Sequence, residues 1–310
     1  FRFDPLDTES RDALITQHPI NRRQGYIVRT PPLTRVINGV AKAVAEGRTG
    51  LAYVAHPRFG KSTAALFAQS EVRRLFPSSI VVLHICMERA RPNELRLWTE
   101  LSTSMQLAPP PGKDTSRHLT RIVTHCLATL ASAPKTDQRV VLILDEASKM
   151  CLEEFAYMCG LINQLESKGV TVTTVLFAQP RELIHARNTF VQSERQDIVA
   201  RLILRIRRFE GLRSEDELTQ VLGFYDDPLG SEFPQGSGCA CTRFFLPRAY
   251  DAGFRLSEIA PQLWNALTEG TRAGREDEQN IQVGMQWIVR CLQKLLDPQK
   301  DAKYMKILKE

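Results

Sequence analysis

Ala55-His-Pro-Arg-Phe-Gly-Lys61-Ser62-Thr63 decides how this chain is read. An apolar run, Leu51 to Ala55, leads into it, and a run with helical spacing, Ser62 to Phe76, follows. Strand, loop and helix in that order are the setting that a phosphate-binding P-loop needs. Pro57, Arg58, Phe59 and Gly60 are expected to wrap the phosphates, with Thr63 beyond them in the first helical turn. Backbone N–H groups of the loop and of the helix start would point at the anion. Lys61 is expected to reach the β- and γ-phosphates, and the Ser62 hydroxyl to take Mg²⁺. Ala55 stands where P-loops usually have a first glycine, and Pro57 and Phe59 stiffen the loop. Alanine is tolerated there as long as φ stays negative.

A second stretch makes the pattern specific. Val140-Val-Leu-Ile-Leu144 is a short continuous apolar run that ends in Asp145-Glu146. It reads as a buried parallel strand whose C-terminal end delivers two carboxylates. Asp145 is expected to support Mg²⁺, and Glu146 beside it to polarise an attacking water as general base. The pair, in this order and each after a strand, predicts a nucleotide site for ATP and Mg²⁺.

At 310 residues the chain has room for one large domain or two moderate ones. Its 43% hydrophobic and 25% charged residues are those of a globular protein. No apolar run approaches the ~20 residues that a membrane crossing takes, so no membrane partner is expected. The chain shows no N-terminal signal pattern. It begins at Phe1 rather than Met, and a start lying upstream is expected. Its seven cysteines are scattered and odd in number, which argues against a disulfide framework and for a reducing cytoplasm. Cys239-Ala-Cys241 lacks the second Cys/His pair that a zinc finger requires. A net charge of +6 suits a polyanionic partner such as DNA.

Along the chain, residues 1–48 read as an N-terminal extension whose helix starts at Thr30-Pro-Pro-Leu33 and runs to about Glu46. Residues 49–211 read as an α/β nucleotide-binding part. Its strands are the P-loop strand, Ile80–Cys86, Val140–Leu144, Val170–Ala178 and Leu202–Phe209. Its helices lie at Pro92–Met105, Thr115–Ala131, Cys151–Lys168 and Arg195–Ala200. Strands alternating with helices imply a parallel sheet. An extra strand is expected between the P-loop strand and the Asp-Glu strand, which by fold analogy argues against the kinase and GTPase branch. Residues 212–310 read as all-helical. Ser214-Glu-Asp-Glu217 starts a helix, Asp226–Gly238 forms a loop, and Ser257–Thr268 and Glu276–Leu296 are helices. The lysine-bearing tail after Pro298 reads as either a partner-binding helix or a frayed end.

These motifs together resemble the AAA+ ATPases: five parallel strands between helices, then a helical lid. Arg29-Thr-Pro-Pro-Leu-Thr-Arg-Val-Ile, His56-Pro-Arg-Phe-Gly-Lys-Ser-Thr, Phe177-Ala-Gln-Pro-Arg-Glu-Leu and Phe209-Glu-Gly-Leu-Arg-Ser-Glu-Asp-Glu-Leu are similar to the TnsC/TniB group of ATP-dependent transposition regulators, some of them in CRISPR-associated transposons. The resemblance covers roughly residues 25–270. It implies that Gln179 is sensor 1, equally readable as a plain loop amide, and that Arg201 is the trans-acting arginine finger, with Arg195 and Arg205 next. No sensor 2 arginine stands in Ile259–Trp264, although Arg248 and Arg255 are near. The resemblance further implies rings or filaments on duplex DNA, with a transposase and a target-selecting protein as partners. Arg89, Arg91, Arg96, Lys113, Arg117 and Arg121 are then candidates for phosphate contacts. Competing readings are an AAA+ initiator, clamp loader or helicase loader, a nucleotide-gated scaffold with little turnover, and a signalling or defence ATPase.

Overall fold

A computed structural model describes residues 3–21, 28–272 and 282–296. The chain divides into two compact units, Arg35–Phe209 and, together, Phe1–Thr34 with Glu210–Glu310. Phe1–Thr34 therefore groups with the C-terminal helices rather than forming an extension with residues 35–48.

The first unit is built on five parallel strands: β1 Gly50–Val54, β2 Ile80–Ile85, β3 Arg139–Asp145, β4 Thr171–Ala178 and β5 Arg205–Arg208. Their order is β2-β3-β4-β1-β5, so β4 is the extra strand between the P-loop strand and the Asp-Glu strand. The result is a five-stranded parallel α/β sheet with helices packed on it. Both faces of the inner strands are buried, which explains their unbroken apolar runs. Alternate residues Val54, Leu142, Leu144 and Leu176 join Trp98, Phe155 and Ile162 in one core. The helix Lys61–Leu75 packs on β2, β3 and β4. Its Ala64, Ala65 and Ala68 are fully buried, and small side chains there let the backbone approach closely. At Gly50 a Cβ would come within 2.7 Å of the Leu202 backbone, so only glycine starts β1 against the helix Gln196–Leu202.

Most predicted elements are present within a residue or two, among them the helices Pro31–Ala45, Glu94–Ser104, Thr115–Leu130 and Leu152–Glu166. The fifth strand is short and its residues are exposed or half-buried. A further helix, Pro180–Gln192, stands beyond the expected elements, with a proline in its first turn and an acid, Glu182, beside it.

The second unit is helical and has its own core around Leu222, Tyr225, Phe244 and Phe245, joined by Phe3 and Ile20. Ser214 caps the helix Glu215–Asp226 by accepting from Glu217 N at 3.2 Å. Asp226, expected to open a loop, instead ends that helix as a buried hub. Its carboxylate accepts from Thr242 Oγ1, Leu256 N, Ser257 N and Ser257 Oγ at 2.7–2.9 Å. The Asp226–Gly238 segment contains the short helix Pro228–Ser231, and Cys241–Phe245 and Pro247–Asp251 are short helices absent from the sequence reading. Cys239 and Cys241 are buried in this core, and burial pushes the Cys239 thiol up to about 11. Of the predicted helix Glu276–Leu296, the described part is Met285–Leu295. The tail after Pro298 lies outside the described residues. No helix of the described residues is long and apolar enough to cross a membrane.

Charge-assisted bonds to a buried carboxylate are worth more than neutral ones, and losing the acceptor strands several buried donors. Asp226→Ala is expected to cost this unit about 3 kcal/mol, seen as a lower urea midpoint. His18 is buried between Phe233, Phe244 and Phe245, and burial pulls its pKa from 6.5 down to about 4. A depressed histidine is bound by a proton in the unfolded chain before the folded one. Stability is therefore full above about pH 6.5 and falls as pH drops towards 4, by roughly 3 kcal/mol in all. Urea midpoints across that range, for wild type beside His18→Gln, check this: the variant is expected to show a flatter slope.

Candidate functional site

The site forms at the C-terminal ends of β1, β3 and β4. Gly60 is the N-cap of Lys61–Leu75 and sits in a left-handed conformation at φ 95°, with no side chain to cap the helix. The first-turn N–H groups thus remain open to an anion. Arg58 also has positive φ, 71°, so two left-handed residues alternate along the loop. Such alternation turns successive N–H groups inward, as in anion-binding nests. Pro57, Arg58 and Thr63 are exposed and Phe59 is half-buried, with its ring 6.1 Å from that of His56.

Lys61 is buried, and its ammonium donates to the carbonyls of Ala55 and His56 at 2.9 and 3.1 Å. Burial lowers its pKa, and the charges of Glu146, Asp145 and Glu182 act against that shift. Asp145 is 3% exposed. Burial raises its pKa, against hydrogen bonds from the Ser62 hydroxyl and from Glu146 N, the latter at 2.9 Å. For both groups burial outweighs the attraction between them. The site is a dry place for charge that becomes favourable once counter-charges fill it.

Glu146 follows in a left-handed conformation, φ 55° and ψ 34°. Its carboxylate lies 3.6 Å from Lys149 Nζ, a pair exposed enough to be worth at most about 1 kcal/mol. A 3₁₀ turn, Ala147–Lys149, brings Ser148 Oγ to 3.3 Å from Gln179 N. Gln179 is the N-cap of Pro180–Gln192 and its side chain makes no capping bond. The structure therefore gathers Lys61, Ser62, Asp145, Glu146 and Gln179 into one place. Glu182, Ser148 and Lys149 belong there too. A proline followed by an acid, Pro180 and Glu182, is the helix-start signal that could have found Glu182. The Ser62 hydroxyl and Asp145 carboxylate are hard oxygen donors that stand close together, a set that fits Mg²⁺.

Arg201 does not join them. Thr174 Oγ1 donates to its carbonyl at 2.7 Å, and its Nε faces Glu166 at 3.6 Å without another partner. Thr174 pairs with Gly50, the first residue of β1. Arg201 thus sits at the strand-start end of the sheet, roughly 16 Å along β1 from the P-loop. It cannot serve the P-loop of its own chain. Arg195 is engaged with Asp197 at 3.1 and 3.2 Å, whereas Arg205 is exposed at the start of β5. In the second unit, Arg255 is bonded to the carbonyls of Tyr250 and Phe254 and lies 3.8 Å over the Tyr250 ring.

Among the DNA candidates, Arg89 is corrected. Its side chain is 5% exposed and paired with Glu100 and Glu154, so it faces inward and cannot meet a phosphate. Arg91, Lys113 and Arg121 are exposed. Arg96 and Arg117 pair with Glu100 and Asp114 yet stay 59% and 74% exposed. Arg117 and Arg121, one helical turn apart, line an open groove of about 520 Å³ with Thr120, Thr124 and His125.

No protein-family model matches the chain, and no curated protein matches it in sequence. Similar solved structures include the ORC2 protein of Aeropyrum pernix in its ADPNP-ADP complexes, with 13% identity and TM-score 0.45 over 64% of this chain and 53% of that one. Cdc6p of Pyrobaculum aerophilum gives 14% and 0.46 over 75% and 65%. Domain III of the Thermotoga maritima replication initiation protein DnaA gives 13% and 0.40 over 82% and 90%. The chain spans less than two thirds of the first two.

Because burial raises the pKa of Asp145, its ionised form opposes folding, and the opposition grows as pH rises through that raised value. Asp145→Asn is expected to leave the nucleotide-free urea midpoint at pH 7 unchanged or higher. The same variant should weaken Mg²⁺-dependent binding of a fluorescent ADP about tenfold or more.

Proposed function

We propose that this chain is an ATP-hydrolysing AAA+ regulator that assembles on duplex DNA and recruits or licenses a transposase, hydrolysis taking the assembly apart. The observation that carries the nucleotide chemistry is the Ser62 hydroxyl close to the Asp145 carboxylate, with Lys61 buried beside it and Glu146 next in the chain. The sequence stretches similar to the TnsC/TniB group support the transposition part. The exposed cations Arg91, Lys113, Arg117 and Arg121 support a phosphate-rich partner.

In this reading the loop N–H groups and Lys61 hold the phosphates and offset their charge. Ser62 and Asp145 would hold Mg²⁺, which would neutralise phosphate charge when bound. Glu146 takes a proton from the water whose oxygen attacks the γ-phosphorus. The bond between that phosphorus and the β–γ bridging oxygen breaks, and ADP carries away the electron pair. Gln179 orients the water or the γ-phosphate. Arg201, remote from its own P-loop, acts on a neighbouring subunit's nucleotide, which makes turnover depend on assembly. Arg205 is the second candidate for that part.

Negative-stain imaging with duplex DNA, with and without ATP and Mg²⁺, tests assembly. Rings or filaments are expected for wild type with ATP and none for Lys61→Ala. Monomers under every condition overturn the trans mechanism. Glu146→Gln is expected to bind fluorescent ADP as wild type does while turnover falls about 100-fold or more. A wild type as slow as that variant overturns the hydrolytic reading in favour of a nucleotide-gated scaffold.

A further inference from the structure

Arg89 lies between β2 and the helix Glu94–Ser104, in a segment whose Glu88, Ala90 and Arg91 are exposed. Its own side chain turns inward and is 5% exposed. One guanidinium nitrogen donates to Glu154 and another to Glu100. Glu154 is fully buried, and its second oxygen accepts from Cys151 N at 3.2 Å. The second oxygen of Glu100 accepts from Arg96 Nε at 2.8 Å. Two arginines and two glutamates thus close a neutral network.

Stability alone is a poor reason for such a network. Apolar side chains of similar volume hold a core as well as a buried ion pair does, because desolvation offsets the attraction. What the network does fix is geometry. The segment Asp145–Glu154 carries Glu146. One end is held where Cys86 N donates to Asp145 O at 2.9 Å, and the other where Arg89 meets Glu154. Cys86 and Arg89 belong to one short stretch, so the two ties close a ring of backbone and side chains. Within that ring Glu146 is left-handed at φ 55°, a conformation that costs a non-glycine residue about 1–2 kcal/mol. Such a residue persists only where its surroundings over-determine it.

We propose that Arg89 is the positioning residue that holds the Asp145–Glu154 segment, and with it the Glu146 carboxylate, in the geometry for activating water. The inference rests on the hydrolytic reading of Glu146. Arg89 is buried on Glu100 and Glu154 and acts through Glu154 and the turn between. Losing it lets the turn relax towards ordinary backbone angles and carries the carboxylate out of line. The phosphate-binding loop, on β1, is untouched.

The test is steady-state ATP turnover of the full chain with duplex DNA, for wild type, Glu146→Gln, Arg89→Lys, Arg89→Met and Arg89→Met/Glu154→Met. Fluorescent-ADP binding and urea midpoints are measured alongside. Arg89→Met is expected to lower kcat about 10- to 100-fold while KM and ADP affinity stay within about twofold. Arg89→Lys keeps the charge but cannot fork to both carboxylates, and should fall between. The double variant removes both buried charges. It should regain the wild-type urea midpoint without regaining kcat, which separates positioning from stability. If kcat recovers together with the midpoint, or if Arg89→Lys turns over as wild type does, Arg89 is structural and the proposal is overturned. A parallel loss of ADP affinity overturns it too. A wild type that fails to outpace Glu146→Gln overturns the hydrolytic reading and this inference with it.

Discussion

The Ser62 hydroxyl stands beside the Asp145 carboxylate and so brings together the ends of two strands that are not neighbours. β1 and β3 lie on either side of β4, about 10 Å apart. The loop after β1 must fold back over the end of β4 to bring Ser62 to the acid. Gly60 makes that path possible through its left-handed backbone, and nothing within 4 Å would obstruct a Cβ there, so conformation rather than space calls for glycine. Lys61 then falls beneath the loop, where the Ala55 and His56 carbonyls receive it. The extra strand in the sheet sets the width of the site.

The same convergence has an electrostatic cost. Burial shifts Lys61 and Asp145 each towards its neutral form. A protein optimised only for folding would not put an ammonium and a carboxylate so far from water. The site is instead organised for charge that arrives with a ligand, which preorganised groups stabilise better than mobile water can. Glu146 lies at the edge of this dry region, half-exposed and loosely paired with Lys149. The proposed part of Glu146 as a base, exchanging protons with water, suits such an edge.

Much of this was legible in the residues. Periodicity found the strands because both faces are buried, leaving unbroken apolar runs such as Val140–Leu144. The P-loop and Asp145-Glu146 were legible because their chemistry is local. Arg89 was not. In sequence it is one more cation beside Arg91 and Arg96, and only the packing of Glu154 from a helix 65 residues away turns it inward. The helix Pro180–Gln192 was missed because its apolar positions, Leu183, Ala186 and Phe190, are sparse against a polar surface. Asp226 read as a loop residue since its four donors come from the later Thr242–Ser257 stretch. Arg201 was placed by resemblance alone, and its distance from the P-loop emerges only from the strand register.

The edge strand β5 has a consequence of another kind. Arg205, Arg207 and Arg208 stand along the open side of the sheet. A second sheet that added there would set guanidinium against guanidinium, and unpaired strand edges are the usual templates for aggregation. A parallel sheet is slow to form, because its strands wait for distant parts of the chain. β1 and β4 pair across more than a hundred residues, so the sheet closes through long-range contacts. Charge on the last strand opposes edge-to-edge pairing while those contacts form.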